Sequence, residues 1–188
     1  GLITPRNMFI LGAGCLIIGT IAGLVIVVIT KSIFVLILGI VGVLGAYFYT
    51  ATPVKLGYRT MGEIAIGFLF GVLPVWGAYN VQTGLIDFFP LLPGFTIGIL
   101  IFLIIYANEF PDAQADAAVN KKTLIVALGV EMALSLYKIM LGLLIICLAC
   151  NVFLTRNIIA SAIPLIAGIL LGERCRRHLL PDEIKKPG

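Results

Sequence analysis

Asp112 and Asp116 stand four residues apart, and Asn108 stands four before them. On a helix that spacing puts all three on one face. Two carboxylates so placed repel by roughly 0.2–0.5 kcal/mol, and a cation between them turns the repulsion into a binding site. They cannot cage Mg²⁺ alone: it takes an octahedron of oxygens and is usually held by one or two carboxylates, waters and substrate phosphates. These residue types therefore point to a Mg²⁺–diphosphate site, with Lys121 and Lys122 just downstream to neutralise further phosphate oxygens. The plain alternative is a polar loop kept wet between two membrane spans. The stretch Asn108–Thr123 separates two apolar runs and carries Glu109 besides the two aspartates.

A second polar stretch, Tyr49–Glu63, gathers Tyr49, Lys55, Tyr58, Arg59 and Glu63. Lysine and arginine bind phosphate oxygens and a phenol donates one hydrogen bond, so this stretch suits a diphosphate held opposite the aspartates. Each residue also has a structural reading. Tyrosine at a span end fits the aromatic belt, the bases fit the positive-inside rule, and Glu63 opening a helix fits the macrodipole. Glu131 and Lys138 lie seven apart in an apolar segment, on one face, and are expected to turn toward the bundle interior or a partner. The single histidine, His178, leaves no histidine triad or histidine-rich metal site. Cys15, Cys147, Cys150 and Cys175 have neither framework nor metal spacing.

The elements that must position these residues are membrane spans. Of 188 residues 61% are hydrophobic and 12% charged, and the mean hydropathy is +1.15. A soluble core of this size could not hide so much apolar surface, so lipid is the solvent. The net charge of +4 does not argue for nucleic acid, because the bases sit at the ends of apolar runs. The chain begins Gly-Leu-Ile with no basic segment and cleavage site, so it opens on no signal peptide. It reads as a fragment or a processed product.

Hydropathy predicts an all-α polytopic transmembrane bundle with six spans in one domain, residues 1–188: about Asn7–Ile29, Ile33–Thr50, Glu63–Asn80, Leu91–Ala107, a fifth within Leu124–Phe153, and Asn157–Gly172. The fifth stretch is too long for one simple span, and its first turns, to about Val130, are expected along the interface or in water. Thr30-Lys31-Ser32 makes the first two spans a tight hairpin. Glycines at 12, 14, 39, 42, 45, 67 and 71 read as packing residues that let helices approach closely. Pro74 and Pro164 would free backbone carbonyls or kink their spans.

Six spans put Arg6, Lys55, Arg59, Lys121, Lys122, Arg174, Arg176, Arg177, Lys185 and Lys186 on one side, and Lys31 and Arg156 on the other. The positive-inside rule makes the first side cytoplasmic, with both polar stretches and the C-terminal tail.

Asn108-x-x-x-Asp112-x-x-x-Asp116, followed by Lys121-Lys122-Thr123-Leu124 and a helix reaching Gly129, resembles the second Asp-rich motif of the UbiA superfamily of membrane prenyltransferases. Tyr49-x-x-x-Pro53-x-x-Leu56-x-Tyr58-Arg59-x-x-Gly62-Glu63, then Gly71 and Val81-Gln82-Thr83-Gly84, is similar to the preceding cytoplasmic loop and helix of that family. The detail is most similar to the 1,4-dihydroxy-2-naphthoate prenyltransferases of menaquinone biosynthesis. Gly1–Arg6 looks like the segment directly after the family's first Asp-rich motif, and the resemblance covers about residues 1–172.

The resemblance implies nine spans, of which six are here and the first two and the last are missing. It implies two Asp-rich motifs across a central cavity and two Mg²⁺ ions holding a polyprenyl diphosphate. The diphosphate leaves, and an electron-rich aromatic ring attacks the allylic cation. Asp112 and Asp116 would bind the second Mg²⁺, supported by Asn108. Lys55 and Lys121 would contact the diphosphate, with Tyr58, Arg59 and Lys122 beside them, and Tyr49 would meet diphosphate or acceptor. Two positions depart from the pattern: Pro111 stands where many naphthoate enzymes have arginine, and Asn120 where glycine is usual. The first Asp-rich motif is absent, so the chain alone is expected to be inactive. The competing expectations are another acceptor, such as 4-hydroxybenzoate, and a cation-coupled transporter using the aspartates as an ion site. A transporter would more naturally hold its carboxylates at mid-membrane.

Overall fold

The structure, a computed structural model, describes residues 4–155 and Ile166. All regular structure among them is helical. Five helices are long and apolar enough to cross a membrane: α1 (Pro5–Thr30), α2 (Ile33–Thr50), α3 (Gly62–Thr83), α4 (Leu91–Ala118) and α6 (Val130–Thr155), with a short α5 (Leu124–Leu128) before the last. The predicted span Asn157–Gly172, Pro164 and the basic tail lie outside the described residues.

The boundaries follow from local chemistry. Thr4 caps α1 by accepting from the Asn7 N–H at 3.4 Å, and Pro5 takes the first turn, where its missing N–H costs nothing. Lys31 turns left-handed at φ 52° and Ser32 caps α2, which makes the expected tight hairpin. Thr123 caps α5, and Gly129, at φ 75°, separates it from α6. The predicted break near Val130 is therefore a short helix and a turn.

Two expectations are corrected here. The stretch after Ala107 is helix rather than loop: α4 continues through Pro111 to Ala118. Residues 113–118 include four alanines, whose helix propensity carries the last turns on where hydropathy has stopped. Glu131 and Lys138 are both exposed on α6, so of the two expected surroundings, the bundle interior or a partner, the interior is not seen among the described residues.

Pro74 leaves its mark one turn upstream. Residues Phe68–Val72 of α3 are wound as a π-helix, which widens the turn where the proline ring would meet the carbonyl of Phe70. The seam between α3 and α4 is built from glycine. A Cβ on Gly67 would lie 2.9 Å from the Gly98 carbonyl oxygen, and one on Gly71 would overlap the Gly98 backbone. One on Gly94 would lie 3.0 Å from Val72 Cα. Only glycine lets the backbones meet this closely. Gly12, Gly14 and Gly39 have nothing near them, so the packing role predicted for them is not seen among the described residues.

The core lies between α4 and α6: Ile99, Phe102, Leu103 and Tyr106 pack against Ala133, Tyr137, Leu144 and Leu148, with Ile125 of α5. The Asn151 amide donates to the Thr96 hydroxyl at 2.8 Å across this interface. At one end of the bundle the Ser32 hydroxyl donates to Asn80 Oδ1 at 2.6 Å, and Asn80 donates to the Leu85 carbonyl at 2.9 Å. Helices α1 and α2 contain no buried residue.

Candidate active site

The opposite end is polar. There the end of α2, the turn 51–61, the start of α3, the end of α4 and the turn before α5 come together. Lys55 is left-handed at φ 48°, and residues Leu56–Tyr58 form one 3₁₀ turn after it. The Lys55 ammonium sits 5.7 Å from the centre of the Tyr58 ring, a cation–π distance. The Arg59 guanidinium donates to the Pro53 carbonyl at 3.4 Å and closes the turn. The Tyr49 ring packs against Gly57, where a Cβ would stand 2.8 Å from the ring.

The two polar stretches meet through the backbone. The Lys122 N–H donates to the Tyr58 carbonyl at 3.1 Å, and the Leu124 N–H donates to Glu63 Oε1 at 2.8 Å. Asn120 is left-handed at φ 58°. Asparagine tolerates that conformation almost as glycine does, so the departure from the family pattern preserves the turn. The turn brings the Lys121 ammonium within 2.8 Å of Asp116 Oδ2. Burial disfavours the Lys121 charge, but the hydrogen bond and attraction of Asp116, followed by Glu109 and Tyr49, outweigh it and raise its pKa above the ordinary lysine value. Tyr49 lies within electrostatic reach of Glu109, Lys121 and Glu63.

The predicted residues divide by exposure. Asn108, Asp112, Lys55, Tyr58, Arg59 and Lys122 are exposed, while Tyr49, Asp116 and Lys121 are partly buried. Asp112 and Asp116 lie four apart on α4, with Asn108 a turn earlier on the same face. Among the described residues no three acidic, histidine or cysteine side chains cluster as a metal cage. Two aspartates on one helical face nonetheless match what Mg²⁺ takes from protein when phosphate oxygens and waters complete its shell. Glu63 is the residue whose role sequence reasoning missed: it is 1% exposed and spans from α3 to α5. Its position at the head of an apolar run suggested only a charge at a helix start. Glu109 lies within hydrogen-bonding reach of it.

Beyond the polar end, an apolar groove of about 570 Å³ runs along α2 between α1 and α3, lined by Leu16, Gly23, Leu36, Gly39, Leu73 and Pro74 among others.

Comparison with known proteins supplies the last observations. The sequence profile of the UbiA prenyltransferase family matches residues 1–186. A 1,4-dihydroxy-2-naphthoate octaprenyltransferase of Haemophilus influenzae is 30% identical over 153 residues, covering 79% of this chain and 49% of that protein. The enzyme of that name in Mycobacterium tuberculosis is 31% identical over 137 residues, 73% of this chain and 47% of its own. A 2-carboxy-1,4-naphthoquinone phytyltransferase of Synechocystis is 33% identical over 86 residues, 46% of this chain and 28% of its own. The chain spans about half the length of the first two relatives. No solved structure matches.

Proposed function

The chain belongs to the UbiA prenyltransferase family, and from that premise we propose that it serves transfer of a polyprenyl group from polyprenyl diphosphate to an aromatic acceptor of the 1,4-dihydroxy-2-naphthoate type, in quinone biosynthesis. The observation that supports this reading most is the meeting of two polar stretches, 49–63 and 108–124, at one end of an otherwise apolar bundle. A substrate with an anionic head and a long apolar tail needs both environments. The groove along α2 offers apolar walls to such a tail.

Asp112 and Asp116 would hold Mg²⁺, with Asn108 in support. Bound there, Mg²⁺ would neutralise charge on the departing diphosphate. The Lys121 ammonium is held by a carboxylate, and a phosphate oxygen offers it the same charge-assisted bond. Lys55, Arg59 and Lys122 are exposed cations on the rim and would meet the outer phosphate oxygens. Tyr49 would donate one hydrogen bond to diphosphate or acceptor. The polar end would face the cytoplasm from the inner membrane, on the positive-inside count.

The test uses the longest polypeptide from the same reading frame that contains residues 1–188, in membranes. A labelled prenyl diphosphate is offered with dihydroxynaphthoate or 4-hydroxybenzoate, with and without Mg²⁺. Mg²⁺-dependent prenylation of dihydroxynaphthoate, abolished in Asp112→Ala, is expected. Product with 4-hydroxybenzoate alone would reassign the acceptor. Folded protein giving no product with either would overturn the reading.

A further inference from the structure

Two hydrogen bonds join stretches about 60 residues apart in the chain, and one of them ends on a buried carboxylate. Glu63 is 1% exposed, its Oε1 accepts the Leu124 N–H at 2.8 Å, and the Glu109 carboxyl lies within hydrogen-bonding reach of it. Among the described residues it forms no ion pair, and Glu109 beside it is another acid. Burying a carboxyl in such company is costly. The Thr123 hydroxyl caps α5 by accepting from the Val126 N–H at 3.4 Å, and Glu63 takes a second of the free N–H groups at that helix start, that of Leu124. What Glu63 adds is reach from the first turn of α3 to the first residue of α5.

The turn it holds is pinned throughout. The Lys121 N–H donates to the Asp116 carbonyl at 2.9 Å, the Lys122 N–H to the Tyr58 carbonyl at 3.1 Å, and the Leu124 N–H to Glu63. Within that turn Asn120 is left-handed, and Lys121 reaches Asp116 at 2.8 Å. Without Glu63 the downstream end of the turn loses its side-chain anchor, and Leu124 is left with an unpaired donor.

We propose that Glu63 is a positioning residue: by accepting the Leu124 N–H it fixes the turn 119–124, so that Lys121 is presented beside Asp116 to the diphosphate of the donor substrate. For the ligand of Lys121 this rests on the prenyl-transfer reading; the fixing of the turn does not.

The experiment compares wild type, Glu63→Ala, Glu63→Gln, Lys121→Ala and the Ala/Ala double variant in that longest polypeptide in lipid nanodiscs. Hydrogen exchange over residues 119–128 reads the turn without reference to activity. It should accelerate about tenfold in Glu63→Ala, the loss of about one hydrogen bond. Glu63→Gln keeps a carbonyl oxygen for Leu124 and should retain protection. In turnover, Glu63→Ala should raise KM for the prenyl diphosphate about tenfold and leave KM for the aromatic acceptor unchanged. The double variant should be no worse than Lys121→Ala, because Glu63 acts through that lysine. Unchanged exchange in Glu63→Ala overturns the brace. Additive effects with Lys121→Ala, or equal effects on both substrates, overturn the link to Lys121. If Glu63→Gln behaves as Glu63→Ala, the charge rather than the hydrogen bond matters, and the proposal falls. A wild type that neither binds nor uses a prenyl diphosphate defeats the functional reading, while exchange still decides the brace. Should Glu63→Ala not assemble, Glu63→Asp carries the same test, with the charge kept and the reach one methylene shorter.

Discussion

Lys121 is the side chain on which the proposed diphosphate site depends most directly. It is the cation of the ion pair found among the described residues, only partly exposed, and joined to a carboxylate that is itself mostly covered. Lys121→Met keeps the stem and removes the charge, and should raise KM for prenyl diphosphate by about 10- to 100-fold, the worth of one or two charge-assisted bonds. Steady-state kinetics with the donor varied would show it. The pair also has a pH signature. The pKa of Lys121 is raised above the ordinary 10.5 in the folded protein. Its stabilisation is therefore complete below that value and fades as the pH rises through the folded one. Between pH 6 and pH 9 the difference in Tm between wild type and Lys121→Met should stay flat, and it should shrink only in strong alkali. Thr123 is a simpler case: Thr123→Ala removes the α5 cap and should cost about 1 kcal/mol, read as a lowered Tm. The candidate residues were legible in the sequence because like-type side chains at helical spacing advertise a face. Glu63 was not, because its partner lies 61 positions away and no local pattern encodes that contact.

At the scale of elements, the α1–α2 hairpin was readable because Lys31 and Ser32 carry their own stop and start signals. The length of α4 was not, since polarity was read as loop where alanine-rich sequence continues the helix. Glycines show the same limit. Spacing alone does not separate Gly71, which touches the Gly98 backbone, from Gly12, which touches nothing. Substitution separates them. Gly71→Leu should destabilise by at least the 1–3 kcal/mol typical of overpacking, because the obstacle is backbone and cannot swing aside. Gly12→Leu should leave thermal unfolding in detergent unchanged. Equal effects at both positions would mean that the seam is not the tight contact described.

The whole molecule has a packed half and an open half. The core joins α4 to α6, while α1 and α2 contain no fully buried residue and show much apolar surface. The glycine seam joins α3 to α4, and its effect is angular. A helix turns about 100° per residue. If α4 slid past α3 by one position, Asp112 and Asp116 would swing away from Lys121 and the turn carrying Tyr58. Bulky seams can settle into neighbouring registers by repacking their rotamers. At this seam backbone meets backbone at Gly67, Gly71 and Gly98, with Phe102 and Val75 beside them, so the contact that fixes α4 against α3 also sets the clock position of the aspartates from four turns away, as a keyway sets a shaft.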